Sequence, residues 1–135
     1  MMIYPIFALV LLTFIVGVIT LSTRFKSVLN RTVKIKYYRN MQGQEVPEFV
    51  TRTTRCFNNL FEVPVLFYAV TLMMVATGHK SELSLLLAWC FVFSRVVQAM
   101  VHLTYNNVIH RMIGFWAGFI IVIIMWLELL FTAVP

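Results

Sequence analysis

Four stretches of this chain, residues 1–23, 57–78, 83–105 and 112–134, are each apolar over a length that can cross a bilayer. A spanning helix needs roughly 20 predominantly apolar residues. The first stretch carries no charge, and the others carry only Glu62, Arg95 and Glu128 respectively. With 61% hydrophobic residues, 12% charged residues and a mean hydropathy of +0.87, the chain lies far from soluble domains, where about 25% of residues are charged. It reads as one integral membrane domain over 1–135.

Helices are expected over roughly 2–23, 50–78, 82–105 and 111–134, with one substantial loop, 24–49. The other two connections, His79 to Glu82 and Asn106 to Arg111, are so short that sequential helices must be antiparallel neighbours. The expected fold is therefore all-α, an up-down four-helix bundle. The first helix lacks a basic leading segment and is longer than a signal-peptide core, so it is read as retained.

Orientation follows from the 11 Lys and Arg residues. Arg24, Lys26, Arg31, Lys34, Lys36, Arg39, Arg52, Arg55 and Arg111 fall on one side and Lys80 alone on the other. The positive-inside rule places the long loop in the cytoplasm and both termini outside, as in a multi-pass protein of a bacterial inner membrane or its equivalent. The net charge of +6 is thus a topology signal, with membrane lipid headgroups as further partners. Nucleic-acid binding would need a basic face on a folded soluble domain, which this chain lacks.

An ionisable side chain at membrane depth is costly unless it is paired or faces water, so Glu62 and Arg95 call for partners. On the second span, Arg52, Arg55, Asn59 and Glu62 are spaced three, four and three apart, which keeps them within an arc of about 80°. On the third, Arg95, Gln98, His102 and Tyr105 repeat that spacing. A hairpin centred between Gly78 and His79 would match Glu62 with Arg95, Asn59 with Gln98, Arg55 with His102 and Arg52 with Tyr105. Glu62 and Arg95 are thus expected to form a structural ion pair across the second and third spans. Positive charge outnumbers the one carboxylate in this stripe, and an anionic ligand would balance it.

Other residues have plainer readings. His102 has no second His, Cys or carboxylate at ligand spacing, so no metal is expected. His79 and His110 are expected to be solvated in loops, and Glu128 to reach headgroups near the outer end of the fourth span. Cys56 and Cys90 lie at different depths, so they are read as buried, inert thiols with no disulfide. Gly114 and Gly118 form a small-xxx-small pair that permits close helix approach.

The run Arg55-Cys-Phe-Asn-Asn59-Leu-Phe-Glu62-Val-Pro64 and the run Arg95-Val-Val-Gln98-Ala-Met-Val-His102-Leu-Thr-Tyr105-Asn106, followed by Arg111, resemble the second- and third-helix signatures of the MAPEG family. These are the membrane-associated proteins in eicosanoid and glutathione metabolism. The resemblance extends over the whole chain and is closest to bacterial-type members. It implies a homotrimer with glutathione as co-substrate between neighbouring subunits near the cytoplasmic side. Arg24, Arg55, Asn59, Glu62 and Arg111 would line that site, with Gln98 and His102 beside them. Glu62 would meet the amino group and the arginines the carboxylates, while Arg111 would act catalytically by favouring the thiolate. Prostaglandin-forming relatives carry a His in place of Gln98, a Tyr in place of His102 and a Ser in place of Met112.

The activity implied is a glutathione-dependent transferase or peroxidase acting on a lipophilic electrophile or lipid. The second reading is a non-catalytic lipid-binding or adaptor protein of the same family. A small multidrug transporter is the third, but it would need an unpaired membrane carboxylate where this chain crowds Glu62 with arginines.

Overall fold

In the computed structural model, which describes residues 1–133, the chain is built from six helices. These are α1 (Ile3–Leu29), α2 (Tyr37–Asn40), α3 (Glu48–Asn59), α4 (Val63–Ala76), α5 (Glu82–Leu103) and α6 (Val108–Ala133). Four candidate spans emerge, formed by α1, α3 with α4, α5, and α6. The bundle read from the sequence is therefore present, although the expected end of the fourth span at 134 lies outside the described residues.

Two boundaries differ from the sequence reading. The first helix does not stop at residue 23, since α1 runs to Leu29 and takes Arg24 and Lys26 into its last turns. Its 27 residues extend about 40 Å, beyond a hydrocarbon layer of about 30 Å. The second span is interrupted between Asn59 and Val63, and Glu62 adopts φ −89°, ψ −93° there. Pro64 is the cause, because it has no N–H for the Leu60 carbonyl and its ring crowds that oxygen.

The loop after α1 is folded rather than trailing. The Tyr38 hydroxyl and Ser27 Oγ lie 2.6 Å apart, and the Arg24 guanidinium lies over the Tyr38 ring at 5.7 Å from its centroid. Gln44 Oε1 accepts from the Lys34 amide at 3.0 Å, while Gln44 Nε2 donates to the Thr32 carbonyl. Ser81 accepts from the Ser84 amide to cap α5, and Asn107 Oδ1 accepts from the amides of Ile109 and His110 at the start of α6.

The apolar core gathers Leu9 of α1, Phe67, Val70 and Met74 of α4, Phe91 of α5, and Val122 and Met125 of α6. Phe67 and Phe91 stack with centroids 4.5 Å apart. Close packing holds this bundle together, since lipid is as apolar as the helices it surrounds. The small residues of α6 permit the closest approach. A Cβ added at Gly114 would lie 3.3 Å from Gln98 Cβ, and one at Gly118 only 2.2 Å from Arg95 Nη2.

Opposite the loop end, His79 is not solvated as expected. The left-handed Gly78 (φ +69°) turns the chain so that His79 meets the last turns of α6. There its Nε2 lies 3.5 Å from Glu128 Oε1 and 3.2 Å from Ser84 Oγ, and Nδ1 lies 3.3 Å from Thr132 Oγ1. Glu128 therefore ties α6 to the α4–α5 turn. Cys56 is buried as expected, but Cys90 is exposed on the outer face of α5.

The two α6 glycines should respond unequally to a methyl group. Gly118→Ala overpacks against a guanidinium that cannot easily retreat, so a loss of about 1–3 kcal/mol is expected. Gly114→Ala asks only for a small shift of Gln98 and should cost less. Denaturation in detergent, followed by circular dichroism, should rank Gly118→Ala below Gly114→Ala and both below the unaltered protein.

Candidate functional site

Arg95 is the deepest charge in the bundle, only 1% exposed, and its partner is not the one read from the sequence. Its Nη2 donates to the Gly114 carbonyl at 2.5 Å and the Phe115 carbonyl at 3.1 Å. Its guanidinium also lies near the Phe91 and Phe115 rings, at 5.2 and 5.9 Å from their centroids. Arg95 thus clasps α5 to α6. Glu62 is exposed and makes no ion pair with Arg95. The expected pair fails because the interruption at Leu60–Glu62 turns Glu62 away, while Gly118 opens a berth for Arg95 on α6.

The remaining cross-pairs are displaced as well. Asn59 meets His102, with Nδ2 and Nε2 3.1 Å apart, instead of Gln98. Gln98 is buried and packs against Gly114. Arg52 Nη1 donates to the Thr104 carbonyl rather than meeting Tyr105, and its Nε lies 3.6 Å from Glu48 Oε1. Tyr105 instead reaches His110, its hydroxyl 2.8 Å from Nδ1. A uniform antiparallel ladder presupposes one continuous second helix, and α3 and α4 are two.

Several expected site residues do converge toward the loop end of the bundle. His102, 1% exposed, lies where the charges of Arg55 and Arg111 both act on it, and Arg111 acts on Cys56 too. Asn59 joins this group through its bond to His102. Arg111 Nη1 donates to Asn106 Oδ1 at 2.9 Å. Arg24 approaches α3 from α1, and its Nη2 donates to Thr54 Oγ1 at 3.2 Å. Arg55 and Glu62 face outward from the protomer.

Arg24, Arg52 and Arg111 each meet an acceptor through one nitrogen but leave another unmatched. Arg24 Nε, Arg52 Nε, Arg111 Nε and His102 Nδ1 are all buried without a hydrogen-bond partner, and Arg95 Nη1 is a further case deeper in. Buried polar atoms are nearly always satisfied, so several unmet donors in one half of a small bundle call for acceptor oxygens or a sulfur anion. Alongside, an apolar groove of about 580 Å³ runs between α1 and the α3–α4 interruption. Phe14, Gly17, Phe57, Leu60, Phe61 and Tyr68 are among its walls.

Thr54, Thr104 and Asn106 hold the arginines and were not singled out from the sequence. Asn106 did leave a signal. Its φ of +51° is a left-handed conformation that asparagine tolerates better than most residues, and a Tyr-Asn-Asn turn between two spans is where such a residue is to be expected.

Stability measurements should separate Arg95 from Glu62. Arg95→Ala removes a buried side chain and its bonds to α6, and a loss of about 2–5 kcal/mol is expected from the resulting cavity. Glu62→Ala alters an outward-facing group and should shift protomer stability by no more than about 0.5 kcal/mol. Equal losses in urea unfolding would show that the two are coupled after all.

No curated protein and no solved structure matches this chain. A family model does, described as the MAPEG family, over residues 2–131. That span takes in the first three membrane helices, nearly all of the fourth and every residue of the cluster at the loop end, and by it the chain belongs to the MAPEG family.

Proposed function

We propose that this protein binds glutathione at the loop end of the bundle and uses its thiolate to conjugate or reduce a lipophilic electrophile. The observation that carries this reading is the set of buried nitrogens without a partner on Arg24, Arg111 and His102. Glutathione offers two carboxylates and a sulfur that becomes anionic, and its ammonium group would answer the carboxylate of Glu62. Arginine forks are suited to carboxylate oxygens and stay charged at any working pH.

The same reading supplies a reason for the outward-facing charges. A carboxylate midway along a spanning helix is costly against lipid, so the Arg55 and Glu62 face is one that a neighbouring subunit would cover. A homotrimer with glutathione between subunits satisfies that need. The long basic loop then lies in the cytoplasm, where glutathione is abundant.

Arg111 is the residue assigned to the chemistry. A free thiol with a pKa near about 8.5 is mostly protonated at neutral pH, and a fixed cation beside it favours the anion. In conjugation, the thiol proton leaves to water, sulfur bonds to the electrophilic carbon, and the leaving group departs with its bonding pair. In peroxide reduction, two glutathione molecules supply the two electrons, leaving a disulfide, an alcohol and water. A lipophilic co-substrate would approach through the apolar groove beside Phe57 and Leu60.

Three departures favour a second reading. Gln98, His102 and Met112 stand where prostaglandin-forming relatives carry His, Tyr and Ser, which fits a member that binds glutathione or lipid without turnover.

Glutathione titration in detergent, with thiolate absorbance followed in the ultraviolet, tests these readings. An electrophilic aryl halide and a lipid hydroperoxide are then added. Thiolate that forms and is consumed supports the enzyme. Binding without consumption supports the adaptor, and absence of binding removes both. Arg111→Ala should leave the oligomer intact, move thiolate formation to higher pH and lower turnover about 10²-fold.

A further inference from the structure

The turn between α4 and α5 joins two membrane spans, so it lies at a bilayer boundary, at the end of the bundle away from the loop. A second cavity, of about 550 Å³, opens between this turn and the first residues of α1. Its lining has two chemistries. The helical residues Ile3, Val75 and Leu85 are apolar, whereas the turn contributes His79, Lys80, Ser81 and Glu82. An apolar slot with a polar mouth at a membrane boundary matches an amphiphile, tail and head.

The mouth carries one charge of each sign. Ser81 is extended, at φ −131° and ψ 135°, so Lys80 and Glu82 on either side of it leave the chain in the same direction, about 7 Å apart. Both are exposed, and among the described residues neither has an ion-pair partner. The turn keeps its shape without them. Ser81 Oγ accepts from the Ser84 amide at 3.3 Å, and the His79 ring is held between Glu128 and Thr132. A place at the start of α5 suits Glu82 to the helix dipole, but it does not account for a lysine lining the same space.

We infer that this cavity binds one phospholipid whose headgroup carries a phosphate and a primary ammonium, the phosphate against Lys80 and the ammonium against Glu82, with an acyl chain along Ile3, Val75 and Leu85. A wholly anionic headgroup would bring like charge to Glu82. A choline headgroup balances the charges, but its quaternary nitrogen has no N–H for the carboxylate, whereas a primary ammonium has three. The cavity lies at the opposite end of the bundle from the arginines, so the inference is independent of the glutathione reading and goes beyond it.

Photolabelling tests it. The full chain is placed in phosphatidylcholine nanodiscs with a small fraction of a lipid carrying a diazirine on its acyl chain, irradiated and mapped by peptide mass spectrometry. Three probes are compared, with ethanolamine, choline and glycerol headgroups. The ethanolamine probe should label the peptides holding Val75 and Leu85 about tenfold more than the choline probe, as expected for one added hydrogen bond between charged groups. Glu82→Gln should reduce the ethanolamine signal to the choline level while leaving the melting temperature and glutathione uptake unchanged. Lys80→Gln should lower the signal from both probes. Equal labelling by the ethanolamine and choline probes overturns the inference, as does strongest labelling there by the glycerol probe. An ethanolamine preference that persists in Glu82→Gln also overturns it, and so does unchanged labelling in Lys80→Gln. Absence of label from every probe at these peptides, as a neighbouring subunit seated over the cavity would produce, overturns it as well.

Discussion

The bond from Arg95 to the backbone of α6 is the contact on which the rest of the molecule depends. A charged side chain in the middle of a membrane bundle normally finds a carboxylate, yet here it is received by the carbonyls of Gly114 and Phe115 and flanked by two aromatic rings. Helix carbonyls already accept one bond each and have a second lone pair to offer. The arrangement needs α5 and α6 to approach closely, and Gly118 supplies the room. Once α5 and α6 are fixed in this register, His102 and Arg111 at their adjoining ends are fixed too.

The interruption of the second span makes a complementary contribution. Residues Val63–Ala76 join the apolar core, while Glu48–Asn59 carry arginines, threonines and Asn59 to the loop end. A continuous helix would couple these two functions through a single rotation. Breaking it at Leu60 lets the polar half choose its own facing, with Asn59 toward His102 and Glu62 toward the outside. The apolar groove against α1 opens at this same interruption.

Much of this was legible in the sequence. Apolar runs of membrane length gave the four spans, and Gly114 with Gly118 gave the close approach of α6. The family resemblance carried by Arg55–Pro64 and Arg95–Arg111 agrees with the match over residues 2–131. The pairing of Glu62 with Arg95 was not legible, because depth matching assumes that both helices are continuous. Pro64 was in view as part of a motif, and its effect on the Leu60 carbonyl was the missing step. The partners of the arginines were hidden for another reason. Three of them are backbone carbonyls, of Thr104, Gly114 and Phe115, which carry no side-chain identity for a sequence pattern to expose. His79 looked like a loop residue because nothing in its neighbours announces that α6 ends beside it.

The turn from Thr104 to Asn107 joins α5 to α6 in four residues, and Asn106 within it is left-handed while also accepting from Arg111. One residue inserted there would rotate α6 by about 100° against α5. Gly118 would leave Arg95, and Arg111 would leave the neighbourhood of His102, in a single event. The segment between α2 and α3 contributes the Gln44 bonds within the loop but sets no register between spanning helices. Length variation in this chain should therefore be permitted between residues 41 and 47 and forbidden between 104 and 107, a constraint on spacing that is separate from any constraint on residue type.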